Sequence, residues 1–326
     1  MSGVQVHRPL IYLGVACVLA LLSQLVPSAA GGFGTGAVDA ADPVPAAPAP
    51  PTVPAQPCRG TRESLRPSGP LPAPGAFPPG STMAAIVARG RLIAGVDQGK
   101  YLAGYRNPAT GDLQGADIDL VHQIASALFG DPAKVQFVVL DIADRAAAIE
   151  RGQVDVVVDQ FTITCARQRT VEFSTAYMTA AQRILVPVSA GVREVDDLAG
   201  RRICTSRGST TEDVLRALPL HLDVVTLPGI PDCVVAMQQA RVAAVSSDDV
   251  ILAGLAAQDP QSRVVGRALD QARYGVGVSP RAPDLVRFVN AVLERARADG
   301  SLAASQQRWY GSLDPVPRPA PARYRD

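Results

Sequence analysis

Between Arg91 and Leu313 the chain alternates short apolar runs with stretches of helical spacing. RLIAGVD (residues 91–97) reads as a strand ending in polar residues. In the segment after it, Ile118, Val121, Ile124, Ala125 and Leu128 share one helical face, and Gly130 marks the stop. VQFVVLD then predicts a strand, RAAAIERG a helix and VDVVVD a further buried strand. Alternation of this kind predicts α/β layers around a largely parallel sheet. The pattern also repeats weakly: RAAAIERGQVDVVVDQFTI is echoed by CVVAMQQARVAAVSSDDVI, and RLIAGVDQG by RRICTSRGSTTEDVL. Two copies of one plan, joined around RILVPVS, predict two lobes with a cleft between them. Open α/β sheets take ligands beyond the carboxyl ends of their strands. The polar loops 97–100, 159–164, 206–211 and 246–249 are therefore expected to face that cleft.

The flanks differ from this body. His7 and Arg8 precede an apolar run from Leu10 to Val26, and Ser28 and Ala30 follow with the spacing of a cleavage site. Residues 1–30 read as a secretory signal. An uncleaved anchor is the second reading, since a span needs roughly 20 apolar residues, and a lipidated Cys17 is the third. Each places the body outside the cytoplasm, secreted, periplasmic or held at the outer membrane face. Residues 31–81 are rich in Ala, Pro and Gly with few large apolar residues, which predicts an extended, disordered linker. Residues 314–326 read as a second tail of that type. The folded body is expected from Thr82 to Leu313, divided as 82–185 for the first lobe, 186–272 for the second and 273–313 for a return to the first.

Composition adds exclusions. The 326 residues are 47% hydrophobic and 19% charged with a formal net charge of +1, so no basic excess points to nucleic acid. Past the signal remain Cys58, Cys165, Cys204 and Cys233. An even number outside the cytoplasm predicts disulfides, and four cysteines allow three pairings. The preferred one is Cys204–Cys233 within one lobe with Cys58–Cys165 tying the amino-terminal arm to the other; four buried thiols are the alternative. No cysteine has CxxC spacing and neither His122 nor His221 is near one, so neither metal nor organic cofactor is expected. Both histidines read as surface helix residues.

An amino acid trapped between lobes needs a guanidinium and free N–H groups for its carboxylate, and a carboxylate for its ammonium. Arg167 follows a predicted strand-end loop on which Gln160, Thr162 and Thr164 also lie. In the second half, SRGSTTEDVL turns into a helix capped by Ser209 or Thr210, an anion-favouring arrangement. Asp248 closes the strand AAVSSD and can meet an ammonium. A surface ion pair for Arg167 and helix capping for Asp248 are the competing structural roles.

The body resembles the polar-amino-acid-binding proteins of ABC importers, family 3 of the extracellular solute-binding proteins, over nearly all of residues 89–313. The resemblance rests on RLIAGVD, GADIDLVHQIA, RGQVDVVVDQFTITCARQRTVEFSTAY, DDLAGRRICTSRGSTTED, AVSSDDVIL, and RYGVGVSP followed by DGSLAASQQRWYGSL. It implies a two-lobed α/β clamshell of the type II periplasmic-binding-protein kind with two hinge strands, near residues 183–188 and 274–278. It assigns the ligand carboxylate to Arg167 with Thr162, the ammonium to Asp248, side-chain recognition to Asp97, and a helix-start N–H to Thr210. It implies a monomer that hands a glutamine-, asparagine- or glutamate-like or a basic amino acid to an ABC permease, or reports it to a membrane receptor.

Three positions depart from the family pattern: Lys100 stands where an aromatic residue is usual, Ala116 where a larger apolar residue is usual, and Asp159 where a small residue is frequent. Asp159 with Asp97 is expected to favour a ligand with a donor or cationic side chain, because a buried dicarboxylate would meet like charge. An ion pair of Asp159 with Lys100 or Arg167 would cancel that effect. The dehydratases that share this resemblance need a general acid in the cleft. Glu150, Glu172, Glu194 and Glu212 all read as lying outside it, so an enzyme is not expected.

Overall fold

The computed structural model describes residues 60–313 and 316–325. Two five-stranded sheets organise them. In the first lobe, Leu92–Val96 runs parallel to Val135–Val139 on one side and Val156–Val157 on the other. Gly277–Val278 then pairs antiparallel with Val156–Val157 and with Glu172–Phe173. The helix expected to end at Gly130 forms as Ala116–Phe129, burying Ile118, Val121, Ile124 and Leu128. It ends at Gly130 with φ 72°, a left-handed conformation that glycine adopts without strain. Pro283–Ala298 and Ser301–Tyr310 pack back onto this lobe.

The second lobe repeats the parallel core: Arg202–Ser206 lies between Asp223–Leu227 and Ala244–Asp248. Two long strands, Met178–Pro187 and Ser262–Tyr274, complete its sheet in antiparallel pairing. The Cys204–Cys233 disulfide ties the central strand to the helix Ile230–Gln238. Cys165 is also disulfide-bonded, while Cys58 lies outside the described residues.

The chain crosses between lobes earlier than the sequence pattern implied. Residues 183–188 already sit in the second lobe, where Ile184 pairs with Ser246. The first crossing is at residues 174–178, held to the second through Tyr177 N–H to Tyr274 O at 2.8 Å and Ser174 N–H to Val276 O at 2.9 Å. The apolar run in RILVPVS thus belongs to a buried sheet strand, not to a connector. The second crossing, after Tyr274, falls where it was expected.

The termini require a second correction. The Pro-rich segment does not run as a free linker to residue 81, nor do the last residues form a free tail. From Gly60 onward the arm lies on the first lobe, with Ser64 buried and bridged in parallel to Tyr324. Polar pairing and apolar packing both contribute: buried Asn290 donates to Ser64 Oγ and Leu65 O, Arg297 donates to Ala320 O, and Leu65, Leu71 and Phe77 pack against the core. The signal reading for residues 1–30 lies outside the described residues. His221 is also not helical, but an exposed turn residue with φ 47°.

The Cys204–Cys233 bond closes a loop with sequence separation 29. Replacing both cysteines by alanine should lower the unfolding free energy by about 3 kcal/mol, read as a lower urea midpoint.

Candidate functional site

All four polar loops reach one small cavity between the lobes. Its walls include Lys100, Arg145, Gln160, Thr162 and Arg167 from the first lobe, and Ser206, Ser209, Thr210, Thr211, Ser247 and Asp248 from the second. Ile142, Ile230 and Ile251 supply its apolar surface. Larger cavities of about 340 and 930 Å³ occur elsewhere, but neither sits at the carboxyl ends of both sheets.

Arg167 begins a short turn after the strand-end loop. Its guanidinium donates to Thr162 O at 2.8 Å, rests over the Phe161 ring and reaches Gly208 O of the other lobe at 3.3 Å. Burial, together with neighbouring Arg145, pulls its pKa down to about 9, so it remains charged at neutral pH. Opposite, Ser209 caps the helix Thr210–Ala217 by accepting from Glu212 N–H. Thr210 therefore occupies the first helical position, not the cap.

Asp248 ends its strand and precedes the helix Asp249–Gln258, yet its side chain makes no capping bond. It instead accepts the Tyr274 hydroxyl. Burial raises its carboxyl to about 6 against the opposing pull of that bond. The carboxylate expected to meet an ammonium is thus not spent on its own helix.

Lys100 and Asp159 are buried together, 2% and 1% exposed. Lys100 Nζ contacts Asp159 and lies 3.4 Å from Asp97, while Arg145 donates to Asp159 O at 2.8 Å and Oδ2 at 3.4 Å. Burial acts to lower the Lys100 ammonium, but the charges of Asp159 and Asp97 outweigh it and hold its pKa above the ordinary value. Asp159 is therefore paired with Lys100, the alternative under which its bias towards cationic ligands would be cancelled. Asp97 does not line the cavity; it accepts Gly99 N–H and faces Lys100. No aromatic ring takes the place of Lys100 in the cavity lining: nearby Tyr101 stacks edge-on against Tyr105, and neither lines the cavity.

Two contributors escaped the sequence reading. Arg145 lay within a predicted helix whose direction no pattern reveals. Asp117 holds the binding loop from behind: it accepts Gln160 N–H at 3.0 Å and the Tyr177 hydroxyl at 2.8 Å. Gln160 has φ 45°, uncommon for a residue with a side chain, and Asp117 fixes its amide there. Burial, reinforced by the charge of Asp159, raises Asp117 to about 7. None of the four glutamates lines the cavity; Glu172, for example, pairs with Arg62 and Arg325. Among the described residues, no group of three or more His, Cys, Asp or Glu side chains could hold a metal ion.

With this geometry in view, the comparisons with known proteins converge. The profile of the bacterial extracellular solute-binding proteins, family 3, matches residues 92–312. The chain belongs to that family. It is 28% identical over 229 residues to the ABC transporter glutamine-binding protein GlnH of Bacillus subtilis, covering 70% of this chain and 84% of that one. The glutamine-binding protein of Geobacillus stearothermophilus is 31% identical over 198 residues, covering 60% and 76%. Among solved structures, the solute receptor for L-cysteine of Neisseria gonorrhoeae superposes with a TM-score of 0.67 at 26% identity, covering 72% and 95%. The two-lobed type II clamshell is the architecture of this family 3 protein. No helix among its described residues is long and apolar enough to cross a membrane.

The lobes are closed onto each other, and the cavity holds about 30 Å³. Ligand pockets are ordinarily an order of magnitude larger, so entry requires the lobes to separate. Glycines permit the close approach: a Cβ on Gly254 would lie 2.4 Å from Tyr101 O across the interface. Gly254→Ala should keep both lobes folded but weaken ligand binding by about tenfold or more, with a larger radius of gyration by X-ray scattering in saturating ligand.

Asp117 and Asp248 both have folded values above the ordinary 3.8. The folded protein consequently holds more protons than the unfolded chain between about pH 4 and about pH 7, and stability falls as pH rises through that window. The melting temperature of the ligand-free protein should decline across it, and Asp117→Asn should flatten the upper part of the slope. A profile unchanged by Asp117→Asn would remove this carboxyl as the source.

Proposed function

We propose that this chain captures an α-amino acid outside the cytoplasmic membrane, closing its lobes over it and passing it to an ABC importer. The observation that carries the reading is the placement of Arg167 and Asp248 on opposite lobes around one cavity. One fits a carboxylate and the other an ammonium, so a ligand satisfying both favours the closed state. The names of the glutamine-binding relatives support the ligand class, and family membership supports a position outside the cell membrane and a permease as partner.

The charges around the cavity narrow the ligand further. A basic side chain would meet Lys100 and Arg145, with Asp159 already engaged by both. A carboxylate or amide oxygen finds donors instead: an ammonium carries three, and Lys100 directs two towards Asp159 and Asp97. The ligand is therefore an acidic or amide amino acid.

A thermal-shift screen against the twenty common amino acids tests this. A ligand at 100 times its dissociation constant adds about 2.7 kcal/mol of stability. Aspartate, glutamate, asparagine or glutamine should give clear shifts, which Arg167→Ala or Asp248→Ala should abolish. Lys100→Ala should remove the preference for these side chains. No shift with any amino acid would overturn the function, and a shift confined to arginine or lysine would overturn the side-chain assignment.

A further inference from the structure

Residues 60–66 and 316–325 fall outside the family match at 92–312, yet they are joined to the part of the first lobe that carries Arg167. Gln168, the next residue, is buried, and both ends of its amide are used by the arm. Arg62 N–H donates to Gln168 Oε1 at 2.7 Å, and Gln168 Nε2 donates to Arg62 O at 2.8 Å. The side-chain amide thereby pairs with a backbone residue much as a neighbouring strand would. Arg62 Nη2 also donates to Gln168 O.

The turn is otherwise held by its own backbone bonds and by the disulfide at Cys165, while Ala166, Arg169 and Thr170 are exposed. Without the arm, the buried Gln168 amide would lose both partners, a costly outcome for polar groups out of water. The same arm grips the second crossing strand, where Arg273 donates to Thr61 Oγ1 and lies 3.7 Å from Glu63. Its own position is fixed by Ser64, which donates to Phe173 O and joins Tyr324 of the carboxy-terminal segment.

We infer that the amino-terminal arm is a strap that positions Arg167 for the ligand carboxylate, with Arg62 and Gln168 as positioning residues, and that its own order is coupled to lobe closure. This rests on the proposed role of Arg167. Because coupling is reciprocal, ligand binding should steady the arm even though the arm does not touch the cavity.

The test uses the full chain, with L-glutamate and L-glutamine as probes. Arg62→Pro deletes the N–H donor to Gln168 without altering any cavity residue, and Arg62→Ala, which keeps the backbone pairing, is its control. In hydrogen exchange without ligand, Arg62→Pro should speed exchange in the 164–171 segment and Arg62→Ala much less. With ligand, Arg62→Pro and Gln168→Leu should raise the dissociation constant by about tenfold, chiefly through faster release. A merely structural role would instead lower the melting temperature while leaving affinity intact.

In the wild type, ligand should slow exchange across residues 60–66. Unchanged exchange at 164–171 in Arg62→Pro overturns the strap, whether or not a ligand binds and independently of the functional reading. Ligand binding to the wild type without protection of residues 60–66 overturns the coupling. Failure of both probes to bind, with faster exchange at 164–171 in Arg62→Pro, would support the strap and count against the functional reading alone.

Discussion

Lys100 and Asp159 are both withdrawn from water at the mouth of the cleft, and a buried ion pair persists only where the surroundings fix its geometry. Much of the first lobe's binding face follows from meeting that condition. Asp97 bends its loop through Gly99 and adds a second carboxylate to Lys100. Arg145 approaches from its helix to take the remaining side of Asp159, stacking on Phe161 as it does so. The result is a donor-rich wall already balanced by its own carboxylates.

The crossing strands extend the arrangement to the second lobe. Tyr177 and Tyr274 lie side by side, their backbones joined, but their hydroxyls point to different partners. Tyr177 donates to Asp117, which holds the strained Gln160 amide of the binding loop, and Tyr274 donates to Asp248. Each lobe's ligand-facing loop is thereby tied to the hinge by one tyrosine. A change in lobe angle and a change in loop position are mechanically linked, which is what a protein that closes on its ligand requires.

Closure also depends on small residues at the interface. Gly208 lies against Ala143, Gly99 against Pro231 and Gly254 against Tyr101. Behind the hinge, the segments beyond the family match form a clasp through Ser64, Asn290 and Tyr324. Beside the clasp, Arg62 adds its pairing with Gln168 to the loop that carries Arg167.

Short-range pattern determined much of this protein. Apolar spacing at 118–128 and the stop at Gly130 specify a helix whatever surrounds it, and the α/β alternation with its echo points to two lobes. The family motifs place Arg167 and Asp248, and both line the cavity. The partners of Asp159 were decided only by the tertiary structure: Lys100 is far away in sequence, and the contribution of Arg145 depends on which way its helix faces. Likewise, residues 183–188 read as the stretch joining the lobes, and only pairing with Ser246 shows them to be part of the second sheet. The arm was misread because its composition has few large apolar residues, while its attachment combines hydrogen bonds to Gln168 and Asn290 with the packing of Leu65, Leu71 and Phe77 on the core. Periodicity reports which backbone conformation a segment prefers, but the pairing of buried polar groups is set by distances that exist only once the chain has folded.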